Sequence, residues 1–458
     1  MPLTKSPFSN ADVTDRILSS LPDVDTLHSA ILASKSIYNV FHDRPHSTTR
    51  AVVCNQIGPA LPQALRLVRC ERANICLRPV NELPGEDELF KSPITPEEVR
   101  MLVEKAKVVD ALEDLFSCRE KDKRFRKSQL SAVESARFHA AMYRLWLFTS
   151  ICGFQGRDME YGRDDDEESH DEAEAVRLVE ATYFASLTTT QLREIERVVA
   201  FLLQIPKRQH ESHHGACRRT YLPSSRRVSF WHDPTDIDEF RSDYALFNGP
   251  DAVLKTRMGD TSWMDSNLLE NFDMMDVPEN WVSAHISAVL SHRGQREQAG
   301  TVLLDEVIGE DDRCAQCHSD SISGVDLWGP SNWHFTSDIF EPLGMTPRLK
   351  SRLQSNAAEK GEFHSACTSL TYPALLDEVF EYKAGSYSHW DKNDWLCELC
   401  LGKFVTDHLH LWYAAKRRQQ TQTTREDCWY GYNCRTQTHY VVHAKALNHW
   451  CEPTKEDA

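Results

Sequence analysis

From Leu27 onward the positions Leu27, Ala30, Ile31, Ser34, Ile37, Tyr38 and Phe41 fall at steps of three and four, which makes one face of an amphipathic helix. Pro22 and Asp23 lead into it, and Asp25 or Thr26 is the candidate cap. Further along, Thr95-Pro96-Glu97-Glu98 has the form of a capping box with proline at the first helical position, ahead of "VRMLVEKAKVVDALEDLF". Ser131 to Glu134 repeats the box before "SARFHAAMYRLWLFTSI", whose apolar residues nearly encircle the helix and predict deep burial. In "TTQLREIERVVAFLLQI" the residues Leu192, Ile195, Val199 and Leu202 share a face, and Pro206 is expected to stop the helix.

Other stretches carry no such period. The acidic segment within 157–175 reads as a solvated loop between two helices. Residues 207–300 read as loop-rich, with Trp231, Trp263 and Trp281 in short segments and with His210, His213, His214 and Cys217 as scattered donors. No fixed-period repeat is visible, which argues against solenoids and propellers. The pattern predicts a mainly α protein: a helical segment over 1–70, a helical body over 71–206, the loop-rich 207–300, and then something different.

That difference lies in the cysteines. Eight of the fourteen fall between Cys314 and Cys451, while Cys54, Cys70, Cys76, Cys118, Cys152 and Cys217 stand singly, mostly among apolar neighbours. Cys314-Ala-Gln-Cys317 and Cys397-Glu-Leu-Cys400 have the spacing at which a tight knuckle aims two thiolates at one tetrahedral ion. A thioredoxin-like strand-to-helix context, which a redox pair needs, surrounds neither. A zinc module over 301–415 follows, holding one ion or two, with His364 and Cys367 as possible further ligands and His318, His408 and His410 as further nitrogen donors. Trp328, Trp333, Trp390, Trp395 and Trp412 are expected to pack around the metal.

Residues 416–427, polar and rich in Gln and Thr, read as a flexible tether. Beyond it, Cys428 and Cys434 lie six apart, as do His443 and His449, so two sulfurs and two nitrogens suffice for a closed tetrahedral site. His439 and Cys451 are spare donors. A segment this small has little core of its own and would depend on metal for its order.

The match goes beyond spacing. Cys428, the aromatic pair Trp429-Tyr430, Gly431, Asn433-Cys434-Arg435-Thr436-Gln437, His443-Ala444, Asn448-His449, Cys451-Glu452 and Thr454 resemble the CCHH poly(ADP-ribose)-binding zinc finger. The likeness is to the version found in the mitotic-checkpoint ubiquitin ligase that carries forkhead-associated and RING domains. It covers residues 428–458; the aromatic pair stands in reverse order and Tyr440-Val441-Val442 occupies the loop before His443. The resemblance implies Cys428, Cys434, His443 and His449 as zinc ligands, and Trp429, Tyr430, Arg435 and Gln437 as the surface for the polymer. Separately, the Leu-Pro turn, short helix and aromatic exit near the N-terminus resemble the F-box-like segment of many filamentous-fungal proteins. That likeness implies Leu27, Ile31, Ile37 and Phe41 as contacts to a Skp-type adaptor.

Charge alters the picture locally. The 458-residue chain carries 52 basic and 69 acidic residues, a formal net charge of −17 that opposes adsorption to DNA, RNA or anionic membrane. From Trp412 to Cys451, however, six Lys or Arg face two acids. No apolar leader or spanning segment is present, so an intracellular protein is expected, and nuclear residence would suit the finger. Neither a nucleophile elbow, a Walker loop, a His-Glu-x-x-His helix nor a dinucleotide fingerprint occurs. The expected function is a non-enzymatic zinc-binding adaptor for poly(ADP-ribose) on modified proteins. The alternatives are a substrate receptor of a cullin-type ubiquitin ligase and a purely structural zinc protein.

Overall fold

Local capping decides how the N-terminal helices divide. A computed structural model describes residues 10–73, 85, 86, 88, 92–152, 178–211, 245–258, 260, 281–295, 302–338, 345–420 and 425–455. These are mainly α-helical; among them no β-strand occurs, and isolated bridges pair Trp328 with Leu396 and Asp427 with Asn448. No helix among them is long and apolar enough to cross a membrane. The described residues fall into two units, one drawn from 1–114, 130–206 and 239–305, the other from 115–129, 207–238 and 306–458.

In the first unit the single face expected near the N-terminus is divided into α1 (Ala11–Ser19), α2 (Val24–Ala33) and α3 (Lys35–Asp43), capped by Asn10, Asp23 and Ser34. Asp23, not Asp25 or Thr26, caps α2, because its carboxylate accepts the Thr26 N–H at 2.6 Å and the Thr26 hydroxyl at 2.9 Å. The Thr26 N–H, with the hydroxyl, holds the Asp23 carboxyl below its usual range. Helices α4 (Pro45–Ile57) and α5 (Leu61–Arg72) follow, each with proline in its first turn. Leu27, only 4% exposed, joins Leu18 and Val52 in the small core of this bundle, and Ile31, Ile37 and Phe41 are half-buried against it. This corrects the reading of Leu27 as an adaptor contact: the apolar face closes on its own neighbours.

The long helices α6 (Pro96–Phe116), α7 (Ala132–Cys152) and α8 (Thr189–Glu211) follow. Both capping boxes form. The Thr95 N–H donates to Glu98 at 2.7 Å and the Ser131 N–H to Glu134 at 2.7 Å, each answered by the reverse bond at 3.3 Å. Helix α7 is buried nearly all round, as its pattern predicts, and α5 packs along it. Helix α8 runs through Pro206 instead of stopping there; the proline costs it one backbone bond but does not end it. The stretch 207–300 holds α9 (Pro250–Arg257) and α10 (Trp281–His292), whose Trp281 indole donates to Glu180 at 3.0 Å. The acidic run within 157–175 and residues Cys76, His213, His214, Cys217, Trp231 and Trp263 lie outside the described residues.

The second unit contains α11 (Lys360–Thr368), α12 (Tyr372–Phe380), α13 (Glu398–Gln420) and α14 (Val441–Ala446). Its core gathers Trp328, Trp333, Trp390 and Trp412, with Trp395 half-buried against them, as expected for packing around the cysteine pairs. Tyr432 and Trp450 belong to the same core. Residues 115–129, read from the sequence as part of the helical body, also belong here. Lys123, 1% exposed, reaches Asp312 at 2.7 Å and the Gly324 carbonyl, and its ammonium lies 4.8 Å from the centre of the Trp395 ring.

Candidate metal centres and the surface beside them

Two groups of four donors come together, Cys314–Cys317–Cys397–Cys400 and Cys428–Cys434–His443–His449, with the ligand atoms of each group all within 4.8 Å of one another. Each group could hold a metal ion.

The first group is built by two knuckles from distant parts of the chain. In one, the His318 N–H returns to the Cys314 carbonyl at 3.0 Å and His318 takes a φ of 51°, turning the chain back sharply. In the other, Cys397 precedes α13 and Cys400 sits in its first turn, so the helix start fixes the second pair. The bridge between Trp328 and Leu396 (N–O 2.7 and 2.9 Å) and the bond from the Ala315 N–H to the Trp395 carbonyl (2.9 Å) hold the knuckles together. The Cys317 and Cys397 sulfurs are 3.7 Å apart. An ion bonded tetrahedrally to sulfur at about 2.3 Å keeps its donors about 3.8 Å apart, so this edge has the required length.

Electrostatics agree with that reading. Burial opposes ionisation of Cys314, yet N–H groups of Cys317, Cys397 and Gln316 aimed at its sulfur bring the thiol down to about 7. Cys400 is pushed up, by burial first and then by Cys397 and Cys314, since one thiolate resists the next. A divalent cation among four sulfurs removes that conflict, because such ligands bind deprotonated.

In the second group His443 Nε2 lies 3.3 Å from the Cys434 sulfur and 3.9 Å from the Cys428 sulfur, bracketing the edge of about 3.6 Å that mixed sulfur and nitrogen ligands span. Both ring nitrogens of His449 are buried with no hydrogen-bond partner among the described residues. A buried imidazole pays for that isolation unless a ligand takes its lone pair. Burial and then His443 push His449 down to about 4, which keeps it neutral, as a metal ligand must be. The Cys428 N–H bonds to the Asn448 carbonyl (2.9 Å) and the Asn448 N–H to the Glu426 carbonyl (2.8 Å), so the two halves of the site are joined by backbone.

The other candidates stay apart from both groups. Cys367 is buried in the apolar core, and burial pushes its thiol up to about 12, a poor state for a ligand. His364 lies on the same helix and joins neither set. Cys451 donates toward the carbonyls of Asn448 (3.4 Å) and Cys428 (3.5 Å) and is likewise outside the quartet. His408 is committed to the fold, Nδ1 to the Phe404 carbonyl at 2.8 Å and Nε2 to the Ala384 N–H at 3.2 Å.

The expected tether is absent where it can be seen. Residues 416–420 continue α13, and 425–427 run beside Asn448; 421–424 lie outside the described residues. The finger is seated on the module. Its Trp450 packs on Tyr413 (centroids 4.4 Å) and Phe363 (5.7 Å) and donates its indole N–H to buried Glu359, which also holds Arg417 at 2.7 Å and Arg425. Gln437 corrects the ligand-surface expectation. It is fully buried, its side-chain oxygen accepts from Asn356 at 2.9 Å, its amide donates to the Tyr432 carbonyl at 3.2 Å, and its carbonyl accepts the Ala357 N–H at 3.0 Å. A buried amide with both side-chain polar atoms bonded inside the unit is part of the seat.

The seat also consumes charge. Arg417 and Arg425 pair with Glu359, and Lys416 pairs with Glu378 at 2.9 Å, so three of the six basic residues counted near this end answer acids within the unit.

On the solvent side the geometry is different. Trp429 is 62% exposed and Tyr430 37%, and Arg435 is exposed beside the ligand Cys434. The turn that presents them needs Gly431: its φ is +43°, and a Cβ there would stand 2.2 Å from the Cys451 carbonyl. Under this turn runs the chain end, where the N–H groups of Thr454 and Lys455 both donate to the Trp429 carbonyl (2.8 and 3.0 Å). Lys455 Nζ then lies 3.6 Å from the centre of the Trp429 ring. No sequence signal had marked Lys455. Comparison with protein-family models, with curated proteins and with solved structures finds no match for this chain.

Proposed function

We propose that this protein is a non-enzymatic zinc protein whose finger binds poly(ADP-ribose), or a related nucleotide polymer, on modified proteins. Zinc is the ion that four sulfurs, or two sulfurs and two imidazoles, in closed tetrahedral sets suit best. The observation that carries the reading is the Trp429 ring, largely in solvent, with the partly exposed Tyr430 and Arg435 nearby, on a finger whose Tyr432 and Trp450 are built into a core.

Such exposure forgoes apolar burial and marks a place where a partner supplies it. An adenine ring has a face to stack there, worth about 1–3 kcal/mol per base. The Arg fork matches the oxygens of a pyrophosphate. The resemblance of residues 428–458 to poly(ADP-ribose)-binding fingers supports the same ligand. In full-length protein, Cys428→Ala is expected to release one zinc ion of two and abolish capture of the polymer. Equal capture by variant and wild type refutes the proposal.

A further inference from the structure

We infer that Lys455 is part of the polymer-binding surface, a fixed cation that meets the phosphates of the nucleotide stacked on Trp429. The inference rests on the function proposed above and extends it to a residue outside the finger's zinc-ligand and aromatic positions.

Three observations carry it. Lys455 is placed by backbone, not by chance contact: its own N–H and that of Thr454 converge on the Trp429 carbonyl, and the Thr454 hydroxyl approaches the same oxygen at 3.3 Å. The Tyr432 N–H bonds the Cys451 carbonyl at 3.3 Å, so the tail is tied to the turn at two points. The ammonium sits 3.6 Å from the ring centre, a cation–π contact that fixes a side chain otherwise free to sample many rotamers.

Trp429 is 62% exposed even with one face covered, so its remaining exposure lies on the opposite face and the rim. A base stacked on that open face leaves its ribose and pyrophosphate at the ring's edge. The ammonium, held over the covered face 3.6 Å from the ring centre, presents its positive charge to that edge from the other side of the ring, set in place before the ligand arrives. Lys416, Arg417 and Arg425 are paired with acids at the seat, whereas the Lys455 ammonium lies on the Trp429 ring.

The test is a titration of full-length protein with poly(ADP-ribose) at 50 and 200 mM salt, comparing wild type with Lys455→Gln, Lys455→Arg and, as a control for charge alone, Lys445→Gln on α14. Lys455→Gln is expected to weaken binding about tenfold and to reduce the slope of log affinity against log salt by about 0.7, the value for one charge on a single strand. Lys455→Arg should restore most of the affinity, and Lys445→Gln should change it by less than Lys455→Gln. Unchanged or tighter binding by Lys455→Gln, or equal losses in Lys445→Gln and Lys455→Gln, overturns the role of Lys455 while leaving the finger as a polymer binder. Absence of binding by the wild type overturns both.

Discussion

The Cys314–Cys317–Cys397–Cys400 group lies against a core of tryptophans with Cys317 exposed, while the Cys428–Cys434–His443–His449 group has three buried donors and His443 half-buried, with exposed Trp429 beside it. Around the first, Trp328, Trp333 and Trp390 are buried, and N–H groups of Cys317, Cys397 and Gln316 aim at the Cys314 sulfur. Around the second, one side is committed through Trp450, Gln437 and Glu359, but the other leaves Trp429 largely and Tyr430 partly in water. Two sites of similar size thus have different neighbours, and the neighbours assign the roles. On the function proposed above, the four-sulfur group would organise the fold and the mixed group would present a surface.

That contrast can be broken most severely at the four-sulfur centre. Cys397→Ala removes a donor at the start of α13 and leaves three crowded sulfurs; structural zinc in small domains contributes on the order of 10 kcal/mol. Loss of the cooperative unfolding transition of this unit is expected by circular dichroism, and zinc analysis should show both ions affected, because the finger loses its seat. Glu359→Ala removes the buried carboxylate that pairs with Arg417 and Arg425 and accepts from the Trp450 indole, which should cost about 3–5 kcal/mol. Chemical denaturation would register it, and retention of both zinc ions at low denaturant would show that seat and site are separable.

A smaller effect is expected from His410 in α13, whose ring nitrogens are buried with no hydrogen-bond partner among the described residues. Burial first, then Lys350 and His408, push it down to about 4, against the opposing pull of Glu452 and Asp407; the Tyr432 ring packs on it. An unfolded histidine titrates near 6.5, so between about pH 6.5 and pH 4 the unfolded chain takes a proton that the folded chain refuses. Stability therefore falls as pH drops through that window, and His410→Leu should make the fall shallower in melting curves recorded at pH 7 and pH 5. The smallest effect on stability belongs to Trp429→Ala, within about 0.5 kcal/mol by the same melts, since the ring is mostly in water. Its effect on polymer binding should be the largest of any single exposed residue.

What the sequence disclosed was local. The boxes at Thr95–Glu98 and Ser131–Glu134 need only four consecutive residues, and both form. The two metal groups were legible because each paired donor stands within seven positions of its mate. Misreadings had partners far away. Gln437 looks like a surface amide until Asn356, 81 residues earlier, closes on it. Residues 416–420 look like a tether because their acids, Glu378 and Glu359, come from other segments of the unit. Lys123 meets Asp312 across 189 residues, which no period or spacing announces. Leu27 shows the converse: the apolar face was correctly seen, but its partner was the bundle itself.

The central claim, that the solvent side of the finger reads ADP-ribose chemistry, is tested most directly by titrating full-length, zinc-loaded protein with poly(ADP-ribose) and with single-stranded DNA of equal charge, alongside Trp429→Ala. A preference for the ADP-ribose polymer that survives 200 mM salt and disappears in Trp429→Ala is expected. Equal affinity for the two polymers, or binding that Trp429→Ala leaves intact, would contradict it.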